Sequence, residues 1–271
     1  MSFCFFDGYT IYVYLKTCVI KQNIRQKLGV LLNWCFSAQK CISCKKKCFL
    51  SVICMSCVFK YIFRIAPRKS RRCEICSRFL ISEDRICTSC RSERVIVSAD
   101  CVHSIMPYRL WYKNLLFSWK SQDERSLSLI FAKACLIKIR SVLGKSSLEN
   151  WKIVPVPPRP GKIRMKGWDQ VDELCSVLSV ISGIRVYKLL GRTSGQQQKK
   201  LERTKRLEKG RNPYVLSASG RKLSETGLEN RNFLLVDDIF TTGATMERCS
   251  SVLKKYFPGC QVMVLTLFIV D

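Results

Sequence analysis

The sequence predicts an α/β protein, a parallel sheet covered by helices on both faces, preceded by a small Cys-rich module that folds around metal. Three observations carry this. From Trp151 onward, short apolar strands alternate with helical stripes, and strands that are apolar on both faces and separated by helices belong to a parallel sheet with both sides covered. Four CxxC pairs fall within residues 41–90. The chain of 271 residues, 47% apolar and 25% charged, is long enough for one large α/β domain with a small appendage.

Residues 1–37 hold Cys4, Cys18 and Cys35 and the aromatics Phe3, Phe5, Phe6, Tyr12 and Tyr14, with neither pairing nor sustained period. They read as an extension: an added edge element, a loosely attached segment, or sequence upstream of a start near Leu28. The cysteine pairs define a module over residues 38–95, and residues 96–271 form the α/β domain. Within it, residues 91–150 read as a connector and two helices. Trp111, Leu115 and Trp119 mark the first; Leu127, Ile130, Ala134 and Ile137 mark the second, which Gly144 ends. Residues 152–156 predict a strand closed by Pro155, Pro157, Pro158 and Pro160. Val171, Leu174, Leu178 and Ile181 form a helical stripe stopped by Gly183. Strands are expected over 185–190, 233–236 and 262–270, and a helix over 245–256. Apart from the CxxC pairs, no internal repeat is evident.

The pairs are Cys41/Cys44, Cys54/Cys57, Cys73/Cys76 and Cys87/Cys90. Two intervening residues let both thiolates of a tight turn face one ion, and two such knuckles complete a closed tetrahedral zinc site. The simplest partition joins the first two pairs and the last two pairs; an interleaved one is the alternative. Flanking Lys45, Lys46, Lys47, Arg68, Lys69, Arg71 and Arg72 favour the thiolate form. With no Asp, Glu or His completing a catalytic pattern, the zinc is expected to be structural. His103, the single histidine, disfavours or excludes a His-based triad, an HExxH protease and a three-His metal site, and reads as a packing or surface residue. Cysteine is abundant, at 17, and residues 1–20 lack a basic region followed by an apolar one, so a reduced, cytoplasmic setting is expected. The apolar stretch over residues 49–59 is too short to span a membrane.

The most informative run is Leu234-Leu-Val-Asp-Asp-Ile-Phe-Thr-Thr-Gly-Ala-Thr245. An apolar strand brings Asp237 and Asp238 to the carboxyl edge of the sheet, where ligands of parallel α/β proteins bind. There both acids are expected to face solvent. The turn Thr241, Thr242, Gly243, Ala244 and Thr245 then opens onto a helix N-terminus, so hydroxyls, backbone N–H groups and the helix dipole converge on an anion. Acids beside a phosphate nest suit a sugar phosphate, the carboxylates accepting from ribose hydroxyls or holding Mg2+.

This run resembles the phosphoribosyl pyrophosphate (PRPP) signature of type I phosphoribosyltransferases. Val154-Pro-Val-Pro157, the stretch from Arg164 to Gln170, Arg192-Thr193, Gln196, Leu201, Arg206 and Asn212 then follow in an order that resembles the ComF family. Those proteins couple a CxxC zinc finger to a phosphoribosyltransferase-like domain and are linked with DNA uptake in competent bacteria. The resemblance covers about residues 38–271. It implies a type I phosphoribosyltransferase-like domain, PRPP with Mg2+ at Asp237 and Asp238, and phosphate contacts from the Thr241 to Thr245 turn, Arg192, Gln196 and Arg206. It also implies single-stranded DNA and the DNA-uptake machinery as partners. Tyr108 and Lys120 stand where the family carries an aromatic and a lysine. The family's Arg-Gly-Phe-Asn-Gln becomes Lys166-Gly167-Trp168-Asp169-Gln170 here, adding a negative charge near the expected substrate.

Charge supports an anionic partner. Lys and Arg total 47 against 20 Asp and Glu, a net of +27, and the excess runs through the whole chain. A polyanion or a phosphorylated substrate suits it; a generally basic set of proteins in the host is the alternative. The basic stretch over residues 199–211 reads as a solvated loop, as a mobile loop closing over pyrophosphate, or as a track for single-stranded nucleic acid. Two functions follow. One is Mg2+-dependent phosphoribosyl transfer to an acceptor the sequence does not define. The other is non-catalytic single-stranded DNA binding by the zinc module and basic surface, with the nucleotide site as sensor or relic. Deleting residues 1–30 is expected to leave zinc content and solubility unchanged, measured by metal analysis and yield of folded protein; loss of folded protein would show the extension to be part of the core.

Overall fold

The computed structural model of the chain describes residues 39–48, 51–66, 71–144, 148–193, 212–226 and 232–270. The extension over 1–37, the basic loop over 199–211, and with it Gln196 and Arg206, lie outside the described residues.

The centre is a sheet of four parallel strands: β3 (Cys101–Pro107), β4 (Trp151–Pro155), β7 (Asn232–Phe240) and β8 (Gln261–Ile269), in the order β3-β8-β7-β4. The α/β class and the parallel sheet expected from the strand pattern are both present. Helices α3 (Trp111–Ser121), α4 (Ser126–Leu143) and α6 (Gln170–Ser182) pack with one face of it, and α8 (Ala244–Tyr256) with the other. Short helices α5 (Lys162–Lys166) and α7 (Ala218–Thr226) complete this part, with a two-stranded antiparallel ribbon of β5 (Leu190–Arg192) and β6 (Tyr214–Leu216).

Two elements differ from expectation. β3 falls where a connector was read. Its core includes Ser104, whose hydroxyl bonds Thr266 Oγ1 at 2.7 Å with both residues fully buried; the hydroxyl pair satisfies itself inside the sheet and hides the strand from an apolar count. The strand expected over 185–190 is a single bridge, Ile153 to Val186, followed by β5.

The Cys-rich segment straddles the β3 edge and enters both cores. Its first half comprises β1 (Gln39–Lys40), β2 (Lys47–Cys48), α1 (Met55–Val58) and a π-helical turn over Phe59–Phe63. There Ile53, Val58 and Ile62 join the α3–α4 core, and the Tyr112 hydroxyl donates to the Tyr61 carbonyl at 2.8 Å. Its second half, ending in α2 (Thr88–Ser92), sends Leu80 and Ile96 into the α8 core. Between them, Ser104 N donates to Ser77 Oγ (3.1 Å) and Arg72 Nη2 to the Ile105 carbonyl (3.0 Å), covering the free edge of β3.

A polar network locks the helices on the α4 face. Trp119 Nε1 donates to Ser128 Oγ (2.9 Å), Ser128 Oγ donates to Glu173 Oε1 (2.6 Å), and Arg125 Nε donates to Glu173 Oε2 (2.6 Å). Asp169 opens α6: its Oδ1 accepts from Val171 N and Asp172 N at 3.0 Å each, and Lys162 Nζ reaches Oδ2 at 2.7 Å. The Asp169 charge is thus consumed as a helix cap and a part-buried ion pair. Asp169→Ala should destabilise the protein by about 1–2 kcal/mol through loss of the cap, read by urea denaturation. Asp169→Asn, which still accepts from both N–H groups, should lose less. Equal losses in the two variants would show that the Lys162 pair, not the cap, matters there.

Candidate functional site: two Cys4 groups and the carboxyl edge of the sheet

The Cys-rich segment uses one structural unit twice. After each leading CxxC the chain turns through a left-handed residue, Lys45 (φ 62) and Ser77 (φ 65), and donates back to the carbonyl of Cys41 or Cys73 at 2.9 Å. Cys41 N to the Lys46 carbonyl and Cys73 N to the Arg78 carbonyl, both 2.8 Å, close each knuckle. The second pair of each unit starts a short helix, with Cys54 capping α1 and Cys87 capping α2. Only the CxxC spacing of this repeat is visible in the sequence, because the residues between the cysteines differ.

The sulfurs of Cys41, Cys44, Cys54 and Cys57 lie within 4.8 Å of one another, as do those of Cys73, Cys76, Cys87 and Cys90. Cys44 and Cys54 approach to 3.6 Å, Cys76 and Cys87 to 3.7 Å. A tetrahedral zinc with Zn–S bonds of about 2.3 Å separates its sulfurs by about 3.8 Å. Each group could therefore hold a zinc ion, and the partition is the simple one. Burial opposes ionisation of Cys41, but the backbone N–H groups of Cys44, Cys54 and Ser43 outweigh it and bring the thiol down to about 6. Cys73 comes down to about 7, burial again being outweighed by backbone donors, here from Cys87, Cys76 and Ile75. Burial instead pushes Cys57 up to about 12, so a complete set of thiolates needs a cation among them. The described cysteines are all free thiols.

The second feature is the carboxyl edge of the sheet. Because β7 continues to Phe240, Asp237 and Asp238 sit within the strand. Asp237 is half-buried and Asp238 is buried, which corrects the expectation that both face solvent. Asp238 Oδ2 accepts from Lys120 Nζ and Gln170 Nε2, each at 2.8 Å. Asp237 Oδ1 accepts from Asp238 N at 2.8 Å. Lys162 Nζ also donates to Gln170 Oε1, and Lys166 Nζ donates to the Lys120 carbonyl and pairs with Asp123 at 2.8 Å. The end of α3, α5 and the start of α6 are thereby knitted around one carboxylate. Burial first, and the Asp238 charge second, hold the Asp237 carboxyl well above the usual carboxylate range, against the opposing Lys120 charge.

From β7 the chain enters the Thr-rich turn. Thr241 and Thr242 are exposed, Ala244 and Thr245 half-buried, and Gly243 is buried at φ +89. A Cβ on Gly243 would lie 2.9 Å from both Ile96 Cδ1 and Phe240 Cζ, so glycine is required by conformation and by space. The N–H groups of Thr245 and Met246 precede the first bond of α8, Glu247 N to the Gly243 carbonyl (2.9 Å), and are open to an acceptor. The Glu247 carboxylate accepts from Val97 N (2.8 Å), Ser98 N (2.9 Å) and Ser98 Oγ (2.6 Å). The segment leaving the second Cys4 group therefore buttresses the turn twice, through Ile96 against Gly243 and through Glu247. Arg192 ends β5 over the Tyr214 ring, 5.3 Å from its centroid, and its charge and that of Asp237 both act on the buried Cys249 thiol.

Lys162 and Glu247 are the site residues that sequence reasoning missed. Glu247 could have been found as an acid in the first turn of a helix, whereas Lys162 carries no such signal. Fold and site define an α/β protein with a four-stranded parallel sheet and two Cys4 groups able to hold zinc. Neither protein-family models nor curated proteins match this chain. No helix among the described residues is long and apolar enough to cross a membrane. Protein purified without chelator should carry two zinc ions per chain, one for each group. Cys87→Ser should lower the content to about one, since a structural site needs its four ligands. Mass spectrometry of the metal checks both values, and a metal-free chain would sink the assignment.

Proposed function

We propose that the carboxyl edge of β7 binds PRPP with Mg2+, in a type I phosphoribosyltransferase-like, ComF-like protein linked to DNA uptake. The observation that carries this reading is the run of one strand from an acidic pair into a Thr-rich turn and a helix N-terminus. In it Asp237 and Asp238 face the ribose and Mg2+, and Thr241, Thr242, Gly243, Ala244 and Thr245 surround the 5′-phosphate. Asp237 Oδ2 and Asp238 Oδ1 make no hydrogen bond with the described residues, which leaves one oxygen of each acid for a ligand. Hard carboxylate oxygens of this kind fit Mg2+, which usually takes one or two carboxylates plus substrate phosphates. When bound there, Mg2+ would neutralise the pyrophosphate that leaves as a nucleophile attacks C1 of the ribose. Lys120 and Gln170 fix the Asp238 carboxylate, and Arg192 adds positive charge on the side of β5.

Single-stranded DNA binding is the second reading, favoured by the net charge of +27 and by α5, where the exposed Ile163 and Met165 alternate with basic residues.

Calorimetric titration with PRPP and Mg2+ tests the first reading. Binding should strengthen as pH rises through the raised titration of Asp237, because the carboxylate, not the acid, serves the cation. Lys120→Met removes a charge that holds this titration down, so its binding profile should move to higher pH. The folded state retains the Asp237 proton more tightly than the unfolded chain, whose carboxyl titrates near about 4. Asp237 therefore costs stability increasingly as pH rises from there through its folded value. Asp237→Asn should abolish Mg2+–PRPP binding while stabilising the protein at neutral pH by about 1 kcal/mol, a usual gain when a strained site charge is relieved. Undiminished binding in Asp237→Asn would place the ligand elsewhere.

A further inference from the structure

Away from the acidic pair, three basic side chains from three elements lie close enough to feel one another's charge where the Cys-rich segment crosses the edge of the sheet. Lys138, on α4, is 7% exposed. Among the described residues its ammonium makes no ion pair and no hydrogen bond. His103 lies on β3, which α4 packs across. Arg72 is fixed in place by donating to the Ser77 carbonyl (2.9 Å) and the Ile105 carbonyl (3.0 Å), and its guanidinium lies over the Phe79 ring, 3.9 Å from the centroid. Ile105 is two residues beyond His103, so both side chains leave the same face of β3.

The charges of Arg72 and Lys138 both act on His103, and that of Arg72 acts on Lys138. Burial first, then these two charges, bring the imidazole down to about 4, so it is neutral at physiological pH and can donate from one ring nitrogen. Burying an ammonium without a counter-charge is costly. A small anion seated among the three groups would offset that cost, with Arg72 held in advance to receive it.

We propose that Arg72, His103 and Lys138 form a binding site for a phosphate-class oxyanion, separate from the carboxyl edge of β7. Two parallel ladders separate β3 from β7, about 10 Å at ordinary strand spacing. α4, β3 and the knuckle segment each supply one of the three groups, and their charge and donors suit a free phosphate ion or a terminal phosphate monoester. The proposal is independent of PRPP binding.

His103 is the single histidine of the chain, which makes its ring an unambiguous NMR reporter. The probes are inorganic phosphate and thymidine 5′-monophosphate, each exchanged against chloride at constant ionic strength and neutral pH. The His103 ring resonances of the full, metal-loaded chain should shift and saturate. Saturation with phosphate alone assigns a free ion; saturation with the monoester as well assigns a terminal phosphate. Lys138→Met should weaken the response about tenfold or more, as loss of one charged hydrogen bond does, and should melt higher in phosphate-free buffer. Lys138→Arg should keep the response. A wild-type His103 signal that does not move with either probe, an undiminished response in Lys138→Met, or loss in both variants would overturn the site.

Discussion

β7 holds the rest of the structure in register. It is bonded along its length to β8 on one side and along its first half to β4 on the other, with Phe233, Leu234, Leu235 and Val236 fully buried. Two parallel ladders leave this strand no freedom to slip, since a shift of one residue would send Phe233 and Leu235 into the core that Leu234 and Val236 fill, and the reverse. The same constraint sets where the chemistry lies. The β4 ladder ends at Val236, paired with Pro155, and the next two residues are the acids. β4 gives way there to a proline-rich turn, so Asp238 meets α3 and α6 instead of another strand.

The two halves of the Cys-rich segment act on this frame from opposite faces. The first packs under α3 and α4, the second against α8. The second also bears on the Thr-rich turn, because Ile96 fills the space a side chain on Gly243 would need and Glu247 ties α8 to Val97 and Ser98. The second Cys4 segment and the turn after β7 are therefore mechanically one assembly. The shape of the turn depends on a segment that holds its own shape through four sulfurs.

What the sequence reveals follows from which forces are local. The α3 and α4 stripes, β7, β8 and α8 are legible because periodic apolar residues report a buried face directly. The cysteine pairs are legible because two ligands of one ion must share a turn. β3 is not, since Ser104 earns its place only by meeting Thr266, which lies far along the chain. Nor is the burial of Asp238, which depends on Lys120 and Gln170 arriving from two separate helices. The capping role of Asp169 is hidden for the same reason, since it shows only once the start of α6 and Lys162 stand beside the carboxylate.

The covered edge of β3 has a further consequence. An outer strand with free backbone groups invites another chain to add to it, and many sheet proteins must guard against that pairing. Here the guard is the knuckle segment, with the Ser77 hydroxyl on the Ser104 amide and the Arg72 guanidinium on the Ile105 carbonyl. Both guarding residues lie within one residue of a cysteine of the second Cys4 group. The guard is therefore only as firm as that group, and were its four sulfurs to part, the outer strand would stand open to intermolecular strand addition.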